Sequence, residues 1–348
     1  MLRLRMKFLG ILLLCSFVSA DFPAKTFKVE LKRPSSYRWK GLSKIIDATA
    51  VRTAISDLAR RSIQPENMYF LARKIAVKAL SRLPKSQKKE IVGLAKELKT
   101  DIADIMLFNF LYERTTFRDG TSIIAQDSNG HIFHGRNLDN TYSADFRNLT
   151  IEVQFVRRGK VVFQGTTFVG YIGLWNGMKP YKFAITANER DAGGWWESMV
   201  AARSGNLPVS WLVRRTLERC KDYDSALYRL VGTPLINGAN ILLSGIEKDQ
   251  GISITRNRLG PQYMAILSNK TNTWYLVDTT ADPGTDPSRK DTRSTAQRSL
   301  DETGQKRICL NELFKVLSVP KVLNRETIYT TVMDTAQPSQ YKSIIRTG

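Results

Sequence analysis

Near residue 117 the spacing of apolar residues changes period, and that change decides most of what this chain can fold into. Upstream, Met68, Leu71, Ala72, Ile75, Ala76, Ala79, Leu80 and Leu83 recur at helical spacing between Pro65 and Pro84. Residues 86–99 repeat the pattern with Ile91, Leu94, Ala95 and Leu98, and Asp101 is placed to cap a third helix through Ile105, Met106, Phe108, Phe110 and Leu111. Stripes of this kind normally face a core, so the expectation is that these helices pack on the rest of the protein. Downstream, side chains alternate or are β-branched. Residues 121–126 and 131–136 read as a hairpin about a turn at 127–130, and 149–157 with 160–167 as another about Arg158-Gly159. Further strands are expected at 182–186, 241–244, 252–256, 274–278 and 327–333, with helices at 208–220, 224–231 and 310–317 and a polar Pro/Gly/Asp-rich loop at 281–292. The sum is an α+β chain with a large, mostly antiparallel sheet.

The N-terminus carries a processing signal. Arg3, Arg5 and Lys7 precede a short apolar run from Phe8 to Val18 and a small-residue site at Ser19-Ala20, the pattern of a secretory signal peptide over residues 1–20. The formal charge is +21, and loss of those three basic residues leaves +18. No nucleic-acid motif accompanies this charge and export argues against nucleic acid as a partner, so an anionic lipid or glycan surface and a solvated basic surface are the readings that remain. Cys15 would leave with the signal. Cys220 and Cys309 are too few for a disulfide framework, and whether they pair stays open. Asn148-Leu-Thr150 and Asn269-Lys-Thr271 are N-glycosylation sequons.

Few residues offer chemistry. His131 and His134 are the only histidines, and on a strand their spacing sends them to opposite faces, which argues against shared metal ligation. The sequence contains no Cys/His zinc pattern, phosphate-binding glycine loop or GxSxG elbow, so no metal or cofactor is expected. The run Arg136-Asn-Leu-Asp139 stands out because a buried arginine and aspartate are costly unless paired or functional.

At this point a resemblance becomes specific. TSIIAQDSNGHIFHGRNLD, FVGYIGLWNGMKPYKFAITANERD, GGWWES, ITRNR and ETIYTTVM are similar to the N-acylethanolamine acid amidase and acid ceramidase family of N-terminal-nucleophile hydrolases, over nearly the whole chain beyond residue 20. The resemblance implies an αββα sandwich in a lysosomal or secreted lipid amidase. Such a precursor would cut itself into a helical segment, 21–119, and a sheet-rich hydrolase segment, 120–348. In the family the first residue of the second segment is a cysteine that attacks a fatty-acid amide, its own α-amino group serving as base. Here that position is Gly120, and Arg118-Asp119 is inserted before it. Arg136 and Asp139 match residues that hold the nucleophile's amine and the substrate amide, and Glu189 matches the acidic partner of that arginine. Arg256 matches a pocket arginine, and Trp175 reads as a wall of the substrate pocket. The oxyanion-hole asparagine falls on Thr280, its following aromatic residues are replaced by Ala281-Asp-Pro-Gly284, and Asn140 stands where an aromatic residue is expected.

Three readings follow. The first is a lipid-amide scaffold with impaired catalysis. The second is an active amidase, either through Thr121 or Ser122 or with the cysteine lost to an incorrect exon boundary. Thr121 turns to the other face of the strand, and Ser122 returns to the same face ~6.6 Å further along. The third is a basic protein whose apolar helices and Trp175, Trp195 and Trp196 meet lipid surfaces.

Overall fold

The computed structural model describes residues 20–111, 120–190, 206–279 and 287–347. Two short strands, β1 (Phe22–Pro23) and β2 (Lys25–Glu30), precede four helices, α1 (Ala48–Ser62), α2 (Glu66–Leu80), α3 (Lys85–Leu98) and α4 (Ile102–Leu111). The hairpin β3 (Gly120–Gln126) and β4 (Ile132–Asp139) follows, then α5 (Ser143–Leu149) and the meander β5 (Thr150–Arg157), β6 (Lys160–Phe168), β7 (Asn176–Lys179) and β8 (Phe183–Glu189). Helices α6 (Val209–Arg219) and α7 (Tyr223–Gly232) lead to β9 (Ala239–Ser244), β10 (Gly251–Arg256), β11 (Pro261–Ile266) and β12 (Tyr275–Thr279). The chain closes with α8 (Pro287–Thr303), α9 (Leu310–Val316), β13 (Thr327–Asp334) and β14 (Lys342–Ile345).

These strands make two sheets, one ordered β1-β14-β13-β4-β3-β12 and the other β11-β10-β9-β8-β7-β6-β5-β2. Every pairing is antiparallel except that of β2 with β5. The larger sheet buries Val29, Ile151, Val153, Phe155, Phe163, Phe183 and Leu243 in one core with α1 to α4, α6 and α7. The smaller sheet packs Ile123, Phe133 and Val332 beneath α8 and α9 through Ala296, Leu300, Leu313 and Leu317. Between the sheets the contacts are mixed: Thr166 meets Thr331, Ser343 and Tyr341, and Tyr329 donates to Asn176 at 2.7 Å, while Ile124, Ile132 and Leu276 pack on Leu242, and Met333 on Met178 and Ala184. The result is the expected αββα order.

Several elements differ from the sequence reading. The first third, read as helical, also supplies β1 to the smaller sheet and β2 to the larger. Helix α8 begins at Pro287, inside the stretch read as loop; proline is well suited to a first helical turn, and Ala296 and Leu300 of this polar helix join the core. On α2 the predicted inner stripe is rotated. Tyr69, Ala76 and Leu80 are buried, whereas Met68, Leu71 and Ile75 are 46%, 48% and 56% exposed. The cause is Asp104 on α4, which accepts from the Tyr69 hydroxyl at 2.9 Å, from Arg73 and from Ser56 at 2.7 Å. Satisfying this buried carboxylate turns the Tyr69 face of α2 inward. Cys220 and Cys309 carry free thiols, the first buried and the second exposed.

Glu90 on α3 is the strongest tie between the helical layer and the rest. Its carboxylate takes Arg38 at 2.8 Å and Arg214 of α6 at 2.7 Å, all three well buried. Burial alone would raise the Glu90 pKa, but the charges and hydrogen bonds of Arg214 and Arg38 outweigh it and hold the carboxylate below its ordinary range. Glu90→Ala would leave two buried guanidiniums without their anion, and we expect urea unfolding to report a loss of about 3–5 kcal/mol.

Glu152 on β5 has the opposite sign. Burial, only partly offset by a hydrogen bond from Gln154, pushes its pKa up from 4.5 to about 7. As pH rises through this interval the unfolded chain releases the proton before the native one does, so this group's contribution to stability is present below the unfolded value and lost towards pH 7. Unfolding measured across that interval should fall less steeply with rising pH in Glu152→Gln than in the parent.

Candidate active site

The β3–β4 register builds the site. Gly120 faces Leu138, Thr121 faces Asn137 and Ser122 faces Arg136. Residues paired across two strands share a face, so position 120, Ser122 and Arg136 look into the seam between the sheets while Thr121 and Asn137 look towards α9. Asn137 donates to the carbonyls of Leu317 and Val322 at 2.8 and 2.9 Å and accepts from Thr330 at 2.6 Å, which pins the end of α9 to the sheet. Thr121 lies fully buried on that outer face, its Oγ1 without a hydrogen-bond partner among the described residues.

Arg136 is fully buried. Its Nη1 donates to the carbonyls of Trp175 and Ala187, both at 3.0 Å, and its Nη2 donates to Asn188 Oδ1 at 2.9 Å. Asn188, on the central strand β8, passes the connection on by donating from Nδ2 to Ser122 Oγ at 3.3 Å. A Cβ placed on Gly120 would come to 2.8 Å from Asn188 Oδ1 and 3.0 Å from both Arg136 Nη2 and the Asn137 carbonyl oxygen. The carboxamide therefore stands against the spot from which a side chain at 120 would emerge.

One turn of the strand away, His134 bridges the sheets, with Nδ1 2.8 Å from Ser244 Oγ and Nε2 2.9 Å from Thr186 Oγ1. Burial first, and the Arg136 charge second, push its pKa down to about 3, so the imidazole is neutral. Because the unfolded chain would take up a proton near 6.5, the contribution of His134 declines as pH falls below that value, the reverse of Glu152. His131 turns away to Asp334 at 2.8 Å, so the two histidines share no site.

The other expected residues divide. Asp139 ends β4, is 1% exposed and accepts from Asn324 at 2.8 Å opposite a β-bulge between Thr327 and Tyr329. Trp175 is buried in the core and touches the site through its carbonyl, which takes both Arg136 and the Ala187 amide. Arg256 is not directed at this group. Its guanidinium donates to the carbonyls of Leu230 and Thr233 at the end of α7, and burial pushes its pKa down to about 10. Glu189 closes β8 opposite Ala239, its side chain outside the described residues; Thr280, with Arg118, Asp119, Trp195 and Trp196, lies outside them altogether.

Two residues escaped the sequence reading. Asn188 is one. The other is Asn240, its cross-strand neighbour on β9, which donates to the Thr279 carbonyl at 3.1 Å, directly before position 280, and whose Oδ1 has no partner among the described residues. Asparagine is depleted in strands, so each one set among apolar strand residues was a usable signal.

Four layers, with the seam between the sheets entered at the first residue of β3, define an amide-hydrolase scaffold of the N-terminal-nucleophile class. Comparison with known proteins agrees. The linear amide C–N hydrolases of the choloylglycine hydrolase family match residues 120–251, a segment that starts at Gly120. The chain is 42% identical over 322 residues to N-acylethanolamine-hydrolyzing acid amidase of Rattus norvegicus, covering 92% of this chain and 88% of that one. It is 29% identical over 345 residues to acid ceramidase of Bos taurus, covering 93% and 86%. The solved Caenorhabditis elegans N-acylethanolamine-hydrolyzing acid amidase ortholog superposes with a TM-score of 0.60 at 31% identity, over 65% of this chain and 99% of that one. This chain belongs to the N-acylethanolamine-hydrolyzing acid amidase family.

The Asn188 carboxamide gives the site its own test. Asn188→Ala removes an acceptor from a buried cation and should cost about 1.5–3 kcal/mol in urea unfolding. Asn188→Asp, which keeps an acceptor for Arg136, should cost less.

Proposed function

We propose that this protein is a lipid-amide hydrolase scaffold that binds N-acylethanolamine-like or ceramide-like amides in an acidic or secretory compartment and is impaired in cleaving them. The observation that carries this reading is the glycine at the start of β3, where a nucleophile would have to stand, with Asn188 Oδ1 2.8 Å from its absent Cβ. Removal of a catalytic nucleophile has cost ~10⁶-fold in a well-studied hydrolase, and loss of one oxyanion donor ~100–1,000-fold. Position 280, a threonine, adds the second deficit to the first. Ser122 supports the active alternative poorly: it is fully buried, and its hydroxyl already accepts from Asn188.

The test is chemical. Incubated at acidic pH with N-palmitoylethanolamine, the purified chain should release no palmitate and keep a single intact mass. Gly120→Cys combined with Thr280→Asn should restore a cut before residue 120 and measurable release. Turnover by the parent chain would overturn the reading.

The rotation of α2 favours a second feature, contact with an anionic lipid surface. Met68, Phe70, Leu71, Ile75 and Val77 are each 44–56% exposed, and the exposed cations Lys74, Lys78 and Arg82 lie among or just beyond them. Apolar side chains rimmed by lysine and arginine suit the headgroup boundary of an anionic bilayer. Flotation with phosphatidylserine vesicles should recover the parent, and Leu71→Glu with Ile75→Glu should lower that recovery several-fold; equal recovery of both would remove lipid contact through α2.

A further inference from the structure

Strand β11 is the outer edge of the larger sheet, paired with β10 on one side and with no described strand on the other. An open edge strand offers backbone N–H and C=O groups to any other edge, and proteins usually blunt it with charge, proline or a bulge. The blunting here covers only the first half. Pro261 opens the strand and the register shifts opposite Thr255/Arg256, but from Tyr263 to Ile266 neither charge nor proline occurs, in a chain whose formal charge is +21. That half is apolar and largely open: Met264 and Ile266 are 48% and 59% exposed on one face, Tyr263 is 64% exposed on the other beside a half-buried Ala265, and Leu259 in the preceding turn is 78% exposed. Antiparallel pairing of this strand with its own copy would be isologous, with no charge on residues 263–266 to oppose it.

Three residues beyond Ile266 stands the sequon Asn269-Lys270-Thr271, on an exposed 3-10 turn at the same end of the strand. The turn is anchored, with the Asn269 amide donating to Asp249 Oδ1 at 3.3 Å and Thr271 Oγ1 lying 2.9 Å from Thr273 Oγ1. The second sequon provides a contrast: Asn148 sits exposed on α5, and its Thr150 is buried with its hydroxyl donating to the Phe146 carbonyl.

We propose that Asn269 carries an N-linked glycan that covers the open half of β11 and prevents two copies from joining edge to edge. The inference rests on the secretory part of the reading above and is independent of catalysis. In the attachment, Asn269 Nδ2 forms a bond to the anomeric carbon of a polyisoprenyl-diphosphate-linked oligosaccharide. The bond from that carbon to the diphosphate breaks, the carrier leaves with the electron pair, and the amide gives up one proton.

The experiment uses the full chain secreted from a eukaryotic host. Peptide mass spectrometry should find glycan on Asn269, and sedimentation should show a monomer. Asn269→Gln, and endoglycosidase trimming of the folded parent, should each raise the sedimenting mass about twofold, towards a dimer. Met264→Lys placed on Asn269→Gln should return it to monomer, because a lysine on the edge opposes pairing. An unmodified Asn269 beside a modified Asn148 would overturn the site alone, and absence of glycan at both would overturn it together with the secretory reading. A glycan on Asn269 whose removal leaves a monomer would overturn the shielding role.

Discussion

A positive charge buried between two sheets is the constraint around which this molecule is arranged. Arg136 cannot shed its proton, so its charge must be solvated by the protein itself. The carbonyls of Trp175 and Ala187 and the amide oxygen of Asn188 do this, and they belong to the loop before β7 and to β8. The smaller sheet is thereby fastened to the larger at the point where the hairpin begins. The same polar bonding continues along the seam through His134, Thr186 and Ser244, then through Thr166, Thr331 and Ser343. The larger apolar cores lie on the outer faces of the two sheets, under the helices, and two smaller clusters, about Ile124 with Leu242 and Met333 with Met178, flank the polar bonds in the seam. Such a seam holds its partners by direction, because each unmet donor or acceptor inside it would cost about 1–3 kcal/mol.

That arrangement explains how a site of this class keeps its shape with glycine at position 120. The described hydrogen bonds of Arg136 go to Asn137, Trp175, Ala187 and Asn188, and none of these needs a side chain at position 120. The fold places the start of β3, the guanidinium and the β8 amide within contact distance of one another, and the chemistry is then decided by what position 120 carries. A cysteine would bring a thiol there, whereas glycine has no side chain. Fold and reaction are separable here because the residues that join the sheets differ from the one that would attack substrate.

Much of this was legible in the residues. The hairpin at 121–136, the strand pair at 149–167 and the helices α2 to α4 follow from period and turn chemistry, and the expense of burying charge singled out Arg136 and Asp139 without assigning them a role. What stayed hidden depends on partners distant in sequence. Arg256 resembles a pocket residue by position, yet its guanidinium serves the end of α7. Strands β2 and β14 are short and gain their meaning only from β5 and β13 beside them. The inner face of α2 was read from its apolar stripe, and Asp104 on another helix turned it.

By itself, then, the sequence determined the change from helical to strand period, the face on which each residue of the hairpin lies and the absence of a side chain at position 120, because these depend on local period and on residue identity. Only the tertiary structure decided that Asn188 stands beside that glycine, that α2 shows Met68, Leu71 and Ile75 to solvent, and that β11 is an edge. Each of these is settled by which groups meet across the molecule, and a partner some thirty or more residues away leaves no trace in local spacing.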